Sequence, residues 1–360
     1  MINIGIMTMH RIVNYGSFLQ AYGLKRIIEN NINSHVELVD YKYEGSLEKD
    51  QKKSFWNRIK DNRTVINYVR KKRFLQKVNR QYEFDLRTMG VNGQNYGKDI
   101  ESLVIGSDEV FNCMQGYPVG YSRNLFGYGY ENCKVLSYAG SFGHTTLENL
   151  TEENIFFEIK KMMKKFEAVS VRDNNSKFIV EKMGIKNIYK HLDPVLVYDF
   201  KQEHKSCNIN VENYIIIYVY TGRLSHLEEK YIKKFASRHN KKIVSVCYYS
   251  AIADYNIVCN PINVFDYFEK ADYIITDTFH GTIFSIKTKA KFCTIIRNSN
   301  RNKIMDMLST LGQTERIVND LEDIETLFGV EISYNMTNQI IERETQKSIR
   351  FLKEYLKNDK

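Results

Sequence analysis

Apolar and polar residues alternate through Ile2, Ile4 and Ile6, then give way to a polar stretch at 8–14. A period of two belongs to a strand, so the chain opens with one. From Ser17 the period lengthens, and Leu19, Tyr22, Leu24, Ile27 and Ile28 share one face of a helix ending near Asn30 and Asn31. Residues 36–39 make a second strand, closed by Asp40. Strand, helix, strand is the opening of a parallel sheet covered by helices. Further apolar strands are predicted at 103–105, 135–138 and 168–171. Between the last two, Thr151-Glu152-Glu153 should cap a helix, its acids suiting the positive end of the dipole. Another helix should follow Arg172-Asp173 and stop at Gly184.

Asp193-Pro194 and the polar stretch at 201–213 look like a junction, after which the alternation restarts. Strands are predicted at 214–220, 242–247, 273–275 and 292–296. Helices are predicted from the capping box Ser225-His226-Leu227-Glu228, at 264–270, at 283–288, and at 303–311 before Gly312. A long last helix at 337–356 carries Ile340, Ile341, Ile349, Leu352 and Leu356 along one stripe. The pattern thus predicts two αβ halves in tandem: 1–200 with a helical insertion at about 46–90, then 201–330, with 331–360 packing across both.

Composition adds limits. With 43% hydrophobic and 26% charged residues, the 360-residue chain reads as globular, with only 3 prolines and no low-complexity tract. The six cysteines, Cys113, Cys133, Cys207, Cys247, Cys259 and Cys293, form no C-x-x-C pair and read as reduced thiols. No signal-peptide core opens the chain and no apolar run approaches the roughly 20 residues of a spanning helix, so a cytoplasmic protein is expected. The net charge of +9 is concentrated between Lys49 and Arg80, around Lys52-Lys53, Arg58, Lys60, Arg63 and Arg70-Lys71-Lys72-Arg73. Phe55, Trp56, Ile59, Val65, Ile66, Tyr68, Val69, Phe74, Leu75 and Val78 interleave at helical spacing. This insertion reads as a solvated helix packing one face, or as a basic surface resting on anionic lipid. Nucleic acid is disfavoured as a partner, because no nucleic-acid module surrounds the patch.

In open parallel sheets ligands bind beyond the carboxyl ends of the strands, so residues just after each strand are the candidates for chemistry. His280, in Thr278-Phe279-His280-Gly281-Thr282, follows one strand and precedes a helix, where a proton-transfer group and an anion-attracting helix end would share a crevice. A histidine that only caps or packs is the plain alternative. Arg172 could grip a phosphate or carboxylate, or simply pair with Asp173 or another neighbour. Arg297 and Arg301 stand in the same situation. Asp108, after Gly106-Ser107, could be a general base or a helix cap. Asn14-Tyr15-Gly16-Ser17 stands where a dinucleotide-binding domain would carry glycines, and neither G-x-G-x-x-G nor a Walker loop occurs. Asp40 ends its strand where a ribose-binding acid would sit, Gly5 and Gly16 read as turn or close-packing glycines, and His10 has no assigned role.

These strand-end motifs, in this order, are similar to those of the polysaccharide pyruvyl transferase family. The matching pieces are Asn14-Tyr15-Gly16-Ser17-Phe18-Leu19-Gln20-Ala21-Tyr22, Val39-Asp40-Tyr41, Ile105-Gly106-Ser107-Asp108-Glu109-Val110-Phe111-Asn112, Ser137-Tyr138-Ala139-Gly140-Ser141-Phe142-Gly143, Val171-Arg172-Asp173, Asp193-Pro194, Ala271-Asp272-Tyr273-Ile274-Ile275-Thr276-Asp277 and Phe279-His280-Gly281-Thr282. The family usually has Gln-Val-Trp at Glu109-Val110-Phe111 and Ser at Thr278; these departures bear on the acceptor more than on the reaction class. The resemblance implies two Rossmann-like domains facing across a cleft, similar to the glycosyltransferase-B fold. It implies phosphoenolpyruvate as co-substrate and a hexose diol as acceptor, giving a cyclic pyruvate ketal and phosphate; no metal-ligand cluster is visible in the sequence, the chemistry does not demand one, and no other cofactor is expected. By analogy with the family, His280 is the acid and Arg172 a phosphoenolpyruvate contact. Asp108 is the candidate for taking the acceptor's proton, and Asn14, Tyr15, Ser107, Ser141, Thr278, Gly281, Arg297 and Arg301 are further substrate-contact candidates. The acceptor is expected in surface-polysaccharide assembly, free or lipid-linked, with peripheral contact at the inner face of the plasma membrane as an option. A nucleotide-sugar glycosyltransferase of the same architecture, or a non-catalytic carbohydrate-binding relative, are the competing classes.

Overall fold

The computed structural model describes residues 1–47, 65–116, 118–203 and 207–357. Strands β1 (Ile2–Met7), β2 (Ser34–Val39), β3 (Ser102–Asp108), β4 (Lys134–Gly140), β5 (Val169–Val171) and β6 (Ile188–Lys190) form one parallel sheet in the order β2-β1-β3-β4-β5-β6. A second parallel sheet, ordered β12-β11-β10-β7-β8-β9, is built from β7 (Tyr214–Tyr218), β8 (Lys242–Val246), β9 (Tyr255–Ile257), β10 (Tyr273–Thr276), β11 (Phe292–Ile295) and β12 (Ile317–Val318). Parallel sheets are covered on both faces, which is why β7, Tyr-Ile-Ile-Ile-Tyr, is buried along its whole length.

The covering helices are α1 (Tyr15–Asn31), α2 (Val65–Thr88), α3 (Leu147–Glu152), α4 (Phe156–Met163), α5 (Asn174–Lys182), α6 (Pro194–Val197), α7 (His226–Arg238), α8 (Val264–Lys270), α9 (Phe279–Lys287), α10 (Arg301–Leu311), α11 (Asp323–Gly329) and α12 (Asn335–Leu356). Ser225 and Glu228 make the expected capping box at α7, and Gly184 and Gly312 follow α5 and α10 at φ of 70° and 68°, conformations that cost glycine little. One hydrophobic core runs from β1 and α1 through β7 and α9 to Leu352 and Leu356 of α12. Smaller clusters fill the outer face of each sheet.

Local structure departs from expectation where the capping chemistry was different. Thr151 caps nothing: its hydroxyl donates to the Leu147 carbonyl inside α3. Thr146 starts that helix, in a capping box completed by Asn149 rather than by an acid. The helix expected at 283–288 begins at Phe279, because the Thr278 hydroxyl accepts from the Gly281 N–H. His280 therefore belongs to the first turn of α9, not to a loop before it. Strands β6, β9 and β12 were missed; none exceeds 3 residues, too short for alternation to register.

In the insertion, α2 buries Phe74, Val78, Tyr82 and Leu86, one stripe at helical spacing. Ile66, Tyr68, Val69 and Leu75 are exposed instead, because they fall off that stripe. The basic and aromatic residues at 49–63 lie outside the described residues.

Two contacts tie the halves together near α2. The Tyr15 hydroxyl donates to the Cys259 carbonyl at 2.6 Å and accepts from its N–H at 3.1 Å. Asp85 of α2 accepts from Asn260 at 2.7 Å and from Gln81. Burial raises the Asp85 carboxyl to about 6, outweighing the lowering effect of these two amides. An unfolded aspartate titrates near 4, so the folded state holds this proton more tightly. The contribution of Asp85 is therefore favourable below about pH 4 and is lost as pH rises to about 6. Asp85→Asn should remove that decline, read as urea midpoints of both proteins at pH 4.5 and 7. Parallel pH dependence in the two would contradict the assignment.

Candidate active site

In each sheet one strand marks where the chain reverses its direction of travel. The chain leaves β1 for β2 on one side and returns to β3 on the other; likewise β7 lies between β8 and β10. The loops beyond such a strand diverge and leave a crevice at its carboxyl end. Here the two crevices open on one another across a cleft of about 350 Å³. Asn14, Ser17, Asp108 and Glu109 line it from the first half, and Tyr220, Arg223, Phe279, His280 and Lys303 from the second.

His280 is placed by α9 and by a neighbour with no side chain. A Cβ on Gly16 would lie 2.1 Å from Cγ and 2.2 Å from Nδ1 of the imidazole, so the ring occupies the space that glycine leaves. Gly16 is thus a close-packing glycine. Asn14 starts α1 there, its side chain accepting from the Gly16 and Ser17 N–H groups. The ring's other nitrogen, Nε2, is buried without a hydrogen-bond partner and lies 3.6 Å from Asp193 Oδ2.

Behind the imidazole lies a buried ionic cluster. Arg172 donates from one terminal nitrogen to Asp193 at 2.9 Å and from the other to Asp108 at 3.2 Å. Its guanidinium stacks on the Phe279 ring at 4.4 Å. Asp108 also accepts from Ser17 Oγ at 2.9 Å, and Asp193 from the Val195 N–H at 3.0 Å. Burial alone would raise the Asp108 carboxyl, but Arg172, His280 and Lys303 overcome that and hold it below the usual aspartate range. The same balance, of burial against His280 and Arg172, holds Asp193 low. Both are carboxylates at neutral pH, and Asp108 is a weak base. It caps no helix; its backbone stands at φ 78° at the end of β3.

Two more cations face the cleft. Lys303 of α10 pairs with Glu109 and sits 5.6 Å over the Phe279 ring. Arg223 stacks on Tyr220 at 4.6 Å and lies 3.7 Å from Asp277.

Several residues expected to touch substrate are placed elsewhere. Tyr15 is spent on Cys259 in the core. Ser107 donates to Gln20, and Ser141 to Asp173. Thr278 caps α9, and Gly281 gives room to Thr276 and Tyr218. Arg297 is held by Asp277 and Glu228, and Arg301 is exposed at the start of α10. Asp40 is tied to Arg11 and His10, away from the cleft. Conversely, Arg223 and Lys303 were not foreseen, and Asp193 was read as part of a junction and of a family motif, with no role of its own. Arg223 lies in the loop beyond the carboxyl end of β7, so a criterion that took in the whole loop after each strand could have found it.

Gly16→Ala tests the packing: the imidazole should be displaced, and overpacking should cost about 1–3 kcal/mol in urea unfolding. A variant structure with the ring unmoved would contradict this.

A family model described as polysaccharide pyruvyl transferase matches residues 14–300. No curated protein matches the sequence. Among solved structures, the fold is similar to the glycotransferase of kitacinnamycin, at TM-score 0.52 and 9% identity, covering 99% of each chain. It is similar also to UDP-GlcNAc 2-epimerase from Methanocaldococcus jannaschii, at TM-score 0.50 and 10% identity, covering 98% of this chain and 99% of that one. A Thermobaculum terrenum O-GlcNAc transferase mutant aligns over 98% of this chain but only 64% of its own, at TM-score 0.43 and 9% identity. The first two place the chain among folds with two facing Rossmann-like domains, as in glycosyltransferase-B enzymes and sugar epimerases.

Proposed function

The chain belongs to the polysaccharide pyruvyl transferase family, and from that membership we propose that it transfers the pyruvyl unit of phosphoenolpyruvate onto two hydroxyls of one sugar. The product is a cyclic pyruvate ketal on a surface-polysaccharide precursor, with phosphate released. One observation carries this reading: an imidazole and two cationic side chains, Arg223 and Lys303, line a cleft between the two crevices that is sized for a small ligand.

The chemistry requires such a site. Phosphoenolpyruvate is an enol ester, and its C2 becomes electrophilic only when C3 gains a proton. His280 supplies that proton, and the C2–C3 π electrons form the new C–H bond. A sugar hydroxyl adds to C2, the C2–O bond to phosphate breaks with its electrons leaving on phosphate, and a second hydroxyl closes the ring. Of the two hydroxyl protons lost, one replaces that given to C3 and one leaves with phosphate. Lys303 and Arg223, which line the cleft, bind the donor's phosphate and carboxylate and stabilise the departing anion. Arg172, buried behind Phe279, adds charge through space and holds the carboxylates in place. Asp108, already paired with Arg172, orders Ser17 toward the acceptor more readily than it accepts a proton.

Exposed Ile66, Tyr68 and Val69 of α2, beside the exposed Arg70, Lys72 and Arg73, support contact with an anionic membrane carrying a lipid-linked acceptor. Binding to vesicles containing phosphatidylglycerol should weaken steeply as salt rises; salt-independent or absent binding would count against it. No described helix is long and apolar enough to cross a membrane.

The reaction itself is checked by incubation with phosphoenolpyruvate and a panel of lipid-linked oligosaccharides. Phosphate release should depend on the acceptor, and the product should gain the mass of pyruvate less water. His280→Gln should lose about 10²–10⁴-fold in turnover while remaining folded. Wild-type turnover in that variant would remove His280 from the role, and release of a nucleoside diphosphate from nucleotide sugars would favour glycosyl transfer instead.

A further inference from the structure

We infer that Asp193 is the positioning residue for His280: its carboxylate holds the imidazole by Nε2–H and leaves Nδ1 as the nitrogen that exchanges a proton with the ligand. The inference rests on the pyruvyl-transfer reading for what the proton does, but the geometry of the pair is independent of it.

The charged groups that contact one another beside the ring can be named; Asp173, next to Arg172 in the chain, also acts on its guanidinium. Asp193 lies before α6, Arg172 after β5, Asp108 after β3, and Lys303 on α10 with its partner Glu109. Lys303 and Glu109 balance each other. The remaining group sets two carboxylates, Asp108 and Asp193, against one guanidinium, Arg172. All three are buried, the side chains of Arg172 and Asp193 at 2% and 0% exposure. An uncompensated buried charge is costly, and the His280 ring is the group placed against it.

Asp108 does not take this part: it makes no ion pair with His280, and both its oxygens are engaged elsewhere. One accepts from Arg172 and the Glu109 N–H, the other from Ser17. Asp193 is held rigidly by the Val195 N–H on one oxygen. Its other oxygen faces both Arg172 at 2.9 Å and His280 Nε2 at 3.6 Å. That separation exceeds a hydrogen bond by a few tenths of an ångström, which catalytic contacts commonly close when ligand binds. Nδ1, the ring's other nitrogen, lies against Gly16, whose near neighbours in the chain, Asn14 and Ser17, line the cleft with His280 itself.

The proton balance follows from this orientation. The imidazolium gives its Nδ1 proton to C3 of the donor and remains as the neutral Nε2–H tautomer, the form a carboxylate at Nε2 stabilises. The attacking hydroxyl returns a proton to Nδ1. Were Nε2 the working nitrogen, the proton would have to leave toward Asp193 and the buried cluster.

Nitrogen-15 labelling of the histidines tests this on the wild-type protein, with the His280 signals assigned by their absence in His280→Gln. The neutral ring should carry its proton on Nε2, exchanging with water at least tenfold more slowly than that of exposed His226. A neutral ring protonated on Nδ1 would overturn the inference. Asp193→Asn, where it folds, should lower kcat by about 10²-fold or more with the donor KM changed less than threefold. A matched loss in both parameters would mean a merely structural role. The wild-type tautomer decides the matter even if the variant does not fold. Absence of acceptor-dependent phosphate release would defeat the pyruvyl-transfer reading and leave the tautomer result standing.

Discussion

Arg172 bridging Asp108 and Asp193 is the contact on which the rest of the site depends. It draws the ends of β3 and β5 and the start of α6 to one largely buried point at the edge of the cleft. Two carboxylates cannot be buried side by side without such a cation, and a guanidinium can serve both because its donors diverge in a plane. Phe279, stacked on that guanidinium, is the first residue of α9. The cluster of the first half therefore positions the histidine of the second.

The architecture explains why the site lies where it does. Each sheet has one point where the chain reverses its progress, and those points face each other across the cleft. Neither half is complete alone: the first supplies carboxylates and the start of α1, the second the imidazole, Lys303 and Arg223. The contacts of Tyr15 with Cys259 and of Asp85 with Asn260 fix the halves to one another at the rear. A reaction needing both a proton donor and an anion grip finds both on the wall of the second half, with the carboxylates of the first set against them.

Much of this was legible in the sequence because parallel strands announce themselves by apolar runs and ligands gather at their ends. That reasoning found His280, Asp108 and Asn14 in the cleft. It failed for Tyr15, Ser107 and Ser141, since a place after a strand locates the backbone and not the direction of the side chain. Arg172 was foreseen as a ligand contact, yet its partners lie 64 and 21 residues away in the chain, a pairing that no local pattern encodes. Gly16 shows the same limit. Close packing was the correct reading of it, but only the fold reveals that what it makes room for is an imidazole from the other half.

The proposed transfer turns on a proton delivered from an imidazole to the terminal carbon of an enol phosphate. The direct measurement is the reaction run in deuterium oxide, with mass and proton spectra of the ketal's methyl group. Because the histidine proton exchanges with solvent, each transferred unit should carry one deuterium on that methyl. A ketal methyl free of deuterium, with transfer still occurring, would contradict it.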